Sequence, residues 1–483
     1  MAIPVRTLTA LAGLGLTGAA GGYYFIKPTV VKPVPSPTPV AKYHDSRPFT
    51  LLPSTDIDQR LRSGQFANKV STPEVKAIYS NQLASNNPVE DNYSIHTLGQ
   101  GLIAGVYDGH IGPHCSRLIK DQLPIYMARA ITTNEQEGST EDAISTAFVD
   151  LDQDIQQRFY NLFPKNLKHT TERDIRAAIA RQPDQAATEA IIQEAINGSC
   201  ACAVYIHDGV IYSANTGDSR VVIVSQDEEG NWKGRRLVEE ESPANPEWRA
   251  HMLSQHPESE ADVIVMRNRI FGLIAVGGSF GDIMYKVPVD YQMKVLPFIP
   301  YDIYKTFARY HHRIVVNYHT PPYLQSKPLV SQHKLEKGDR FVILGTDGLW
   351  DELSWDNVRS TNGDQVAATM MSQWKKKGGE SNPATHLVRQ ALLFEAVYKN
   401  VGKKEAVEDE TLELSKRLTR KPSRNYRDDI TITVIELDTT EDTPVYENVG
   451  PVHETKEVLF DVPRLAEPVK QASWFSGWIW SRL

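Results

Sequence analysis

Cysteine is scarce in this 483-residue sequence: Cys115, Cys200 and Cys202 are the only three. An odd count without a CxxC pair offers neither a disulfide framework nor a zinc cage, and it fits a thiol-reducing compartment. A basic excess is also missing. The 52 Lys and Arg face 60 Asp and Glu, a net charge of −8, which is the wrong sign for a binder of nucleic-acid phosphates. No internal repeat is visible. Acid is absent from the N-terminus: no Asp or Glu precedes Asp45, whereas Arg6, Lys27, Lys32 and Lys42 are basic. Within that stretch residues 8–26, LTALAGLGLTGAAGGYYFI, carry no charge. A span of about 20 apolar residues can cross a bilayer, and Tyr23, Tyr24 and Lys27 are placed for an interface. Two readings stand, a secretory signal or a mitochondrial leader with or without a membrane anchor. The few cysteines favour mitochondria. The following KPTVVKPVPSPTPVAK reads as an extended spacer. Residues 1–45 are therefore expected to be leader and spacer, with a folded domain over 46–440.

What is present inside that domain is ordinary core material, 41% hydrophobic and 23% charged residues, with hairpin and helix signals. NYSIHTL and LIAGVYD flank Gln100, and ACAVYIH and VIYSANT flank Asp208-Gly209; alternation around such a turn predicts antiparallel pairs. Ile144, Phe148, Leu151, Ile155, Phe159 and Leu162 recur at helical spacing. Residues 383–399 read as a helix capped by Asn382, and ITITVIEL as the last strand. Hairpins with separated helices predict an α+β layered fold. Residues 283–330, rich in Tyr, His and Pro, and the charged residues 401–425 read as insertions. The first of these is expected to contact a protein substrate rather than to fill the core. Residues 441–483 form a tail whose end, ASWFSGWIWSRL, is aromatic.

The chemistry lies at the strand ends. FVILGTDGLWDEL ends an apolar run on Asp347-Gly348 and adds Asp351 four residues later. NPVEDNYSI opens a strand with Glu90 and Asp91. LIAGVYDGHIG closes one with Asp108, Gly109 and His110. YSANTGDSR closes another with Asp218, FGD carries Asp282, and NYRDDITITVIEL opens the last strand with Asp428 and Asp429. Any one Asp-Gly reads first as a turn. If such a set of acidic strand ends converges on one end of a sheet sandwich, the cluster cannot stay fully ionised without cations. Oxygen ligands without a Cys or His cage suit hard ions, Mg²⁺ or Mn²⁺.

The ordered set VEDN, VYDGH, TGDSR, FGD, TDGLWDEL and YRDDITI, spread over residues 75–437, resembles the metal-dependent type 2C protein serine/threonine phosphatase family. SNQLASNNPVEDNYS and NYHTPPYLQSKPLVSQHKLEKGDRFVILGTDGLWDEL are similar to its mitochondrial pyruvate dehydrogenase phosphatase branch and that branch's fungal mitochondrial relatives. The resemblance implies a central β-sandwich of two antiparallel sheets flanked by α-helices, in α-β-β-α layers. It implies that Asp108 bridges two metal ions, that Glu90 and the carbonyl of Gly109 hold one of them, and that Asp347 and Asp428 hold the other. Asp218 would join Asp347 at a weaker third ion, and His110 would protonate the departing serine oxygen. Asp91 and Asp429 would support the site from behind. Asp351 and Asp282 receive no firm role. Two such ions share a water, make it a hydroxide near neutral pH and direct it in line at phosphorus. The implied activity is hydrolysis of phosphoserine and phosphothreonine on mitochondrial phosphoproteins, such as the E1 α subunit of the pyruvate dehydrogenase complex.

Two departures fall on the substrate side. Asn86 stands where many members carry a phosphate-gripping arginine, and Gly278 in GGSFGD stands where the family pattern has another arginine. Two rivals remain open: a catalytically weak scaffold, and a type 2C phosphatase of another compartment held by an N-terminal signal anchor. Retention of Glu90, Asp108, Asp347 and Asp428 speaks against the first. Mitochondrial import would decide the second.

Overall fold

The computed structural model describes residues 47–69, 72–134, 138–354, 362–377, 380–399 and 409–439. The leader, residues 8–26 within it and the tail from 441 lie outside the described residues. The chain forms two units, Met1–Arg47 and Pro48–Leu483, and the elements named below lie in the second. Among the described residues no helix is long and apolar enough to cross a membrane.

Both sequence-predicted hairpins form. Asn92–Leu98 pairs antiparallel with Gly101–Tyr107, and Ala201–His207 with Val210–Thr216. The second turn has Asp208 at φ 49° and Gly209 at φ 72°, the left-handed pair that matches strand twist. These four strands and Leu329–Lys334 make a five-stranded sheet. A six-stranded sheet runs Phe66–Asn68, Val75–Leu83, Ile430–Leu437, Asp339–Gly345, Arg220–Gln226 and Trp232–Arg236, and every pairing is antiparallel.

The two sheets stack face to face. Val342 and Leu344 enter the layer between them together with Leu102, Ala104 and Val106. Their neighbours Phe341 and Ile343 turn outward under helices, because side chains alternate along a strand. Burial on both faces is why these strands are continuous apolar runs in the sequence. His114–Asn134 and Thr140–Tyr160 cover the five-stranded sheet. Asp347–Leu353, Gly363–Lys377, Pro383–Lys399 and Glu410–Thr419 cover the other. The result is the expected α+β sandwich in four layers.

Helix Thr140–Tyr160 starts at Ser139, whose hydroxyl accepts from Asp142 N at 3.0 Å, with Glu141 and Asp142 in the positive first turn. It buries Ile144, Phe148, Leu151, Ile155 and Phe159, and between the last three lies a buried carboxylate, Asp152. Asn382 caps Pro383–Lys399, accepting from Ala384 N and Thr385 N at 2.9 and 3.2 Å. Glu410–Thr419, inside the charged stretch 401–425 read as an insertion, buries Leu414 and Leu418. It also holds Leu52 N through Ser415 Oγ at 2.9 Å. Residues 401–408 lie outside the described residues.

The reading of 283–330 as a substrate-contacting insertion is corrected at its aromatic end. Tyr318 is 3% exposed and Tyr323 fully buried. Tyr323 Oη donates to Glu260 Oε2 at 2.5 Å and accepts from His319 N and Thr320 N at 2.8 and 2.7 Å. Tyr318 Oη donates to Val287 O at 2.7 Å. The spacing looked irregular because short helices and turns, rather than one periodic element, place these rings in the core. Tyr323→Ala is therefore expected to cost about 3–5 kcal/mol of stability. Activity towards a phosphoprotein and an aryl phosphate would fall together as the protein melts earlier. Loss on the phosphoprotein alone, at unchanged melting temperature, would contradict this.

Candidate metal centre

Strand register brings the acidic ends to one edge of the sandwich. Asn92 faces Tyr107, so Glu90 and Asp91 enter beside Asp108. Ala201 faces Thr216, and Gly345 lies between Arg220 and Ile432. Asp218 follows the strand ending at Thr216, Asp347 opens the helix Asp347–Leu353 after Gly345, and Asp428 leads into the strand that starts at Ile430. One carboxylate oxygen each from Asp108, Asp218 and Asp347 lies within 4.8 Å of the other two. Asp347 N donates to Asp108 Oδ2 at 3.3 Å, while Asp347 Oδ1 is buried with no hydrogen-bond partner.

The cluster resists its own charge. Burial, then Asp347, Asp91 and Asp218, hold the Asp108 carboxyl well above the usual carboxylate range. Asp218 is pushed to about 7 by burial and Asp347. Burial raises Asp347, and Asp351, one turn along its helix, reaches about 6 through desolvation and the Asp347 charge. Burial and Asp429 raise Glu90. Carboxylates that crowd against one another, with an orphaned oxygen among them, are a donor set that fits hard divalent cations.

The remaining acids divide by partner. Asp429 is spent on backbone: it accepts from Asn86 N at 2.8 Å, Glu90 N at 2.9 Å and Ser85 N, which fixes the chain leading to Glu90. Asp91 accepts from Thr346 Oγ1 at 2.8 Å behind Asp347. Asp428 is not drawn into the three-aspartate group; Arg424 pairs with its Oδ2 and Asp429 N bonds its Oδ1 at 2.7 Å. Glu90 likewise stands outside the trio, its Oε2 3.4 Å from Asn86 Nδ2. Gly109 packs so closely that a Cβ would meet Glu90 O at 2.3 Å, and one at Gly348 would meet Asp429 O at 1.9 Å. The glycine after Asp347 is thus required for the close approach of the loop 428–429.

His110 has a partner the sequence did not assign. Its Nε2 lies 2.7 Å from Asp282 Oδ2. Burial pulls the imidazole pKa down, but Asp282, Asp218 and Glu90 outweigh it, so the net shift is upward. Asp282 is fully buried in a left-handed conformation, φ 49°. Its Oδ2 also accepts from Ser279 Oγ at 2.7 Å, and its N donates to Asn197 O at 3.1 Å. A Cβ at Gly198 would lie 1.9 Å from His110 Nε2. The FGD triplet was the available sequence signal for Asp282; Asn197 and Ser279 had none. At the two departures, Asn86 Nδ2 points to Asp429 Oδ2 at 3.1 Å. A Cβ at Gly278 would meet Glu241 Oε2 and Thr216 Oγ1, each at 2.3 Å, so no arginine fits there without displacing Glu241.

Comparison with known proteins gives a consistent set. The family model for protein phosphatase 2C matches residues 81–392. The chain is 28% identical over 461 residues to a Homo sapiens protein named pyruvate dehydrogenase (acetyl-transferring) phosphatase 1, mitochondrial, covering 80% of this chain and 83% of that one. It is 29% identical over 453 residues to the Homo sapiens phosphatase 2, mitochondrial, with the same coverage. It is 29% identical over 374 residues to a probable protein phosphatase 2C 78 of Oryza sativa subsp. japonica, covering 76% and 78%. Among solved structures, a serine-threonine phosphatase 2C from Toxoplasma gondii aligns at TM-score 0.43 and 16% identity, covering 77% of this chain and 99% of that one.

Proposed function

The chain belongs to the protein phosphatase 2C family, and from that premise we propose that it removes phosphate from phosphoserine of a mitochondrial protein, the E1 α subunit of the pyruvate dehydrogenase complex. It is a protein serine/threonine phosphatase dependent on Mg²⁺ or Mn²⁺. The observation that carries the chemistry is the mutual approach of Asp108, Asp218 and Asp347 within 4.8 Å. The substrate is supported by relatives named pyruvate dehydrogenase phosphatases.

When bound, the divalent ions supply positive charge against the phosphoryl oxygens and acidify water. Asp108, Asp218 and Asp347 would hold them, with Glu90, the Gly109 carbonyl and Asp428 completing the set; Asp428 would exchange Arg424 for this role. The protein's own proton chemistry rests on His110. Asp282 Oδ2 engages Nε2, which favours the imidazolium and leaves Nδ1 to pass a proton to the departing serine oxygen. The ring side chain is 25% exposed. Closure of the Gly278 position by Glu241 and the turning of Asn86 to Asp429 leave phosphate binding to the metal centre rather than to an arginine. Phosphate release from phosphorylated E1 α, measured against unrelated phosphoproteins in Mg²⁺, tests the assignment; preference for the unrelated proteins would remove this substrate.

Mitochondrial residence is supported by the acid-free basic N-terminus and by the mitochondrial names of the relatives. The finer reading is that residues 8–26 anchor the enzyme in the inner membrane, which carbonate extraction of isolated mitochondria tests. A protein beginning at residue 43 keeps Thr50 and Leu52, whose amides bond Thr419 Oγ1 and Ser415 Oγ at 2.8 and 2.9 Å. It is expected to be soluble and as active on a phosphopeptide as the full chain. A folded but inactive product would place part of the leader in the enzyme.

A further inference from the structure

The apolar face of helix Thr140–Tyr160 carries one residue that hydrophobic burial does not explain. Asp152 is 5% exposed in its side chain, and the lysine it meets, Lys286, is 2% exposed. Taking both charges out of water is expensive, and apolar residues of similar volume are often as stable. What the pair does hold is a loop. Lys286 Nζ donates to Asp152 Oδ1 and Oδ2 at 2.9 and 2.8 Å and to Ser279 O at 2.7 Å, which uses all three of its hydrogens. Asp152 Oδ1 accepts in addition from Gly281 N at 2.9 Å, and its Oδ2 from Gln156 Nε2 at 3.0 Å. The ion pair therefore grips the backbone at 279 and at 281, on the N-terminal side of Asp282.

We propose that Asp152 and Lys286 are positioning residues for proton transfer: through Ser279 and Gly281 they hold Asp282 where it orients His110. Asp282 sits at positive φ, a conformation a non-glycine residue keeps only when its surroundings enforce it. The enforcing contacts are those just described, the Asn197 carbonyl, and the Ser279 hydroxyl, which bonds the same Asp282 oxygen that meets His110. The imidazole and the carboxylate both pack against Gly198, where a Cβ would lie 1.9 Å from His110 Nε2 and 2.3 Å from Asp282 Oδ2; a displaced 279–282 loop would move Asp282 away from the 2.7 Å contact. Neither Asp152 nor Lys286 touches substrate.

This inference rests on His110 as the proton donor, and the test separates the two ideas. A serine oxygen is a strongly basic leaving group that needs a proton; nitrophenolate leaves without one. The variant Asp152→Leu/Lys286→Met replaces the pair with apolar side chains. Turnover of a phosphoserine peptide and of p-nitrophenyl phosphate is measured for it, for His110→Gln and for the combination. The double variant is expected to fall about tenfold or more on the peptide, with far less loss on the nitrophenyl ester, and to add little to His110→Gln, because both remove one proton transfer. Equal losses on both substrates, wild-type turnover on both, or fully multiplicative losses in the combination overturn the proposal. If His110→Gln itself loses equally on both substrates, the proton-donor reading falls first and this one with it. Should the double variant not fold, Ser279→Ala, which removes only the hydroxyl on Asp282, carries the test; a wild-type ratio between the two substrates there overturns the path.

Discussion

Asp108→Asn is expected to lower kcat/KM on a phosphoserine peptide by on the order of a hundred- to a thousandfold, the scale of losing one charged element of a transition-state clamp. Asp108 stands where burial and three other aspartates oppose its ionisation. A neutral side chain there weakens every cation site that shares it. The same change has the opposite sign on the metal-free fold. Removing a charge that Asp347, Asp91 and Asp218 repel should stabilise the protein in excess chelator by on the order of 1 kcal/mol. The paired measurement is turnover in saturating Mg²⁺ and melting temperature in chelator. Wild-type-like turnover, or a lower melting temperature without metal, would contradict the electrostatic account.

Removal of the metal should abolish activity, and the stability that metal returns should depend on pH. In the metal-free protein Asp218 titrates at about 7 rather than its usual 3.8. Between those values the folded state binds more protons than the unfolded state, so metal-free stability is highest near the acid end and falls as pH rises through 7. Asp108, Asp347 and Glu90 are raised in the same direction. Bound cations need the carboxylates ionised, so binding releases protons and tightens as pH rises. The gap in melting temperature between Mg²⁺ and chelator should therefore widen from pH 5 to pH 8. At a free concentration of about 100 Kd the metal contributes about 2.7 kcal/mol. A gap that stays constant over this range would mean that the carboxylates are already ionised without metal.

Much of the candidate site was legible because it is written locally. An aspartate at the end of an apolar run, followed by glycine, identifies itself without knowledge of any other segment. Asp108 and Asp347 stand out that way, while Asp218 follows a glycine at a strand end and Asp428 opens the last strand; both hairpins are equally local, with Gly99, Asp208 and Gly209 at positive φ in their turns. The 283–330 segment misled for the complementary reason. Its tyrosines lie on turns and short helices, where no period betrays burial, so Tyr318 and Tyr323 looked like surface residues and are core.

By itself the sequence indicated oxygen ligands suited to hard cations and an α+β fold with antiparallel hairpins, since both depend on side-chain type and on neighbours a few positions away; the sandwich and the candidate proton donor His110 came with the family resemblance of its ordered motifs. Tertiary structure alone decided which of these meet. Asp347 reaches Asp108 across 239 positions, Asp282 reaches His110 across 172, and Lys286 reaches Asp152 across 134. It also turned Asp428 towards Arg424, set Asp429 to holding backbone and closed Gly278 behind Glu241. Such contacts leave no local trace. They are set by how two stacked sheets and their covering helices pack, and an approach of a few ångströms, not composition, makes a carboxylate a ligand, an orienting partner or a clamp.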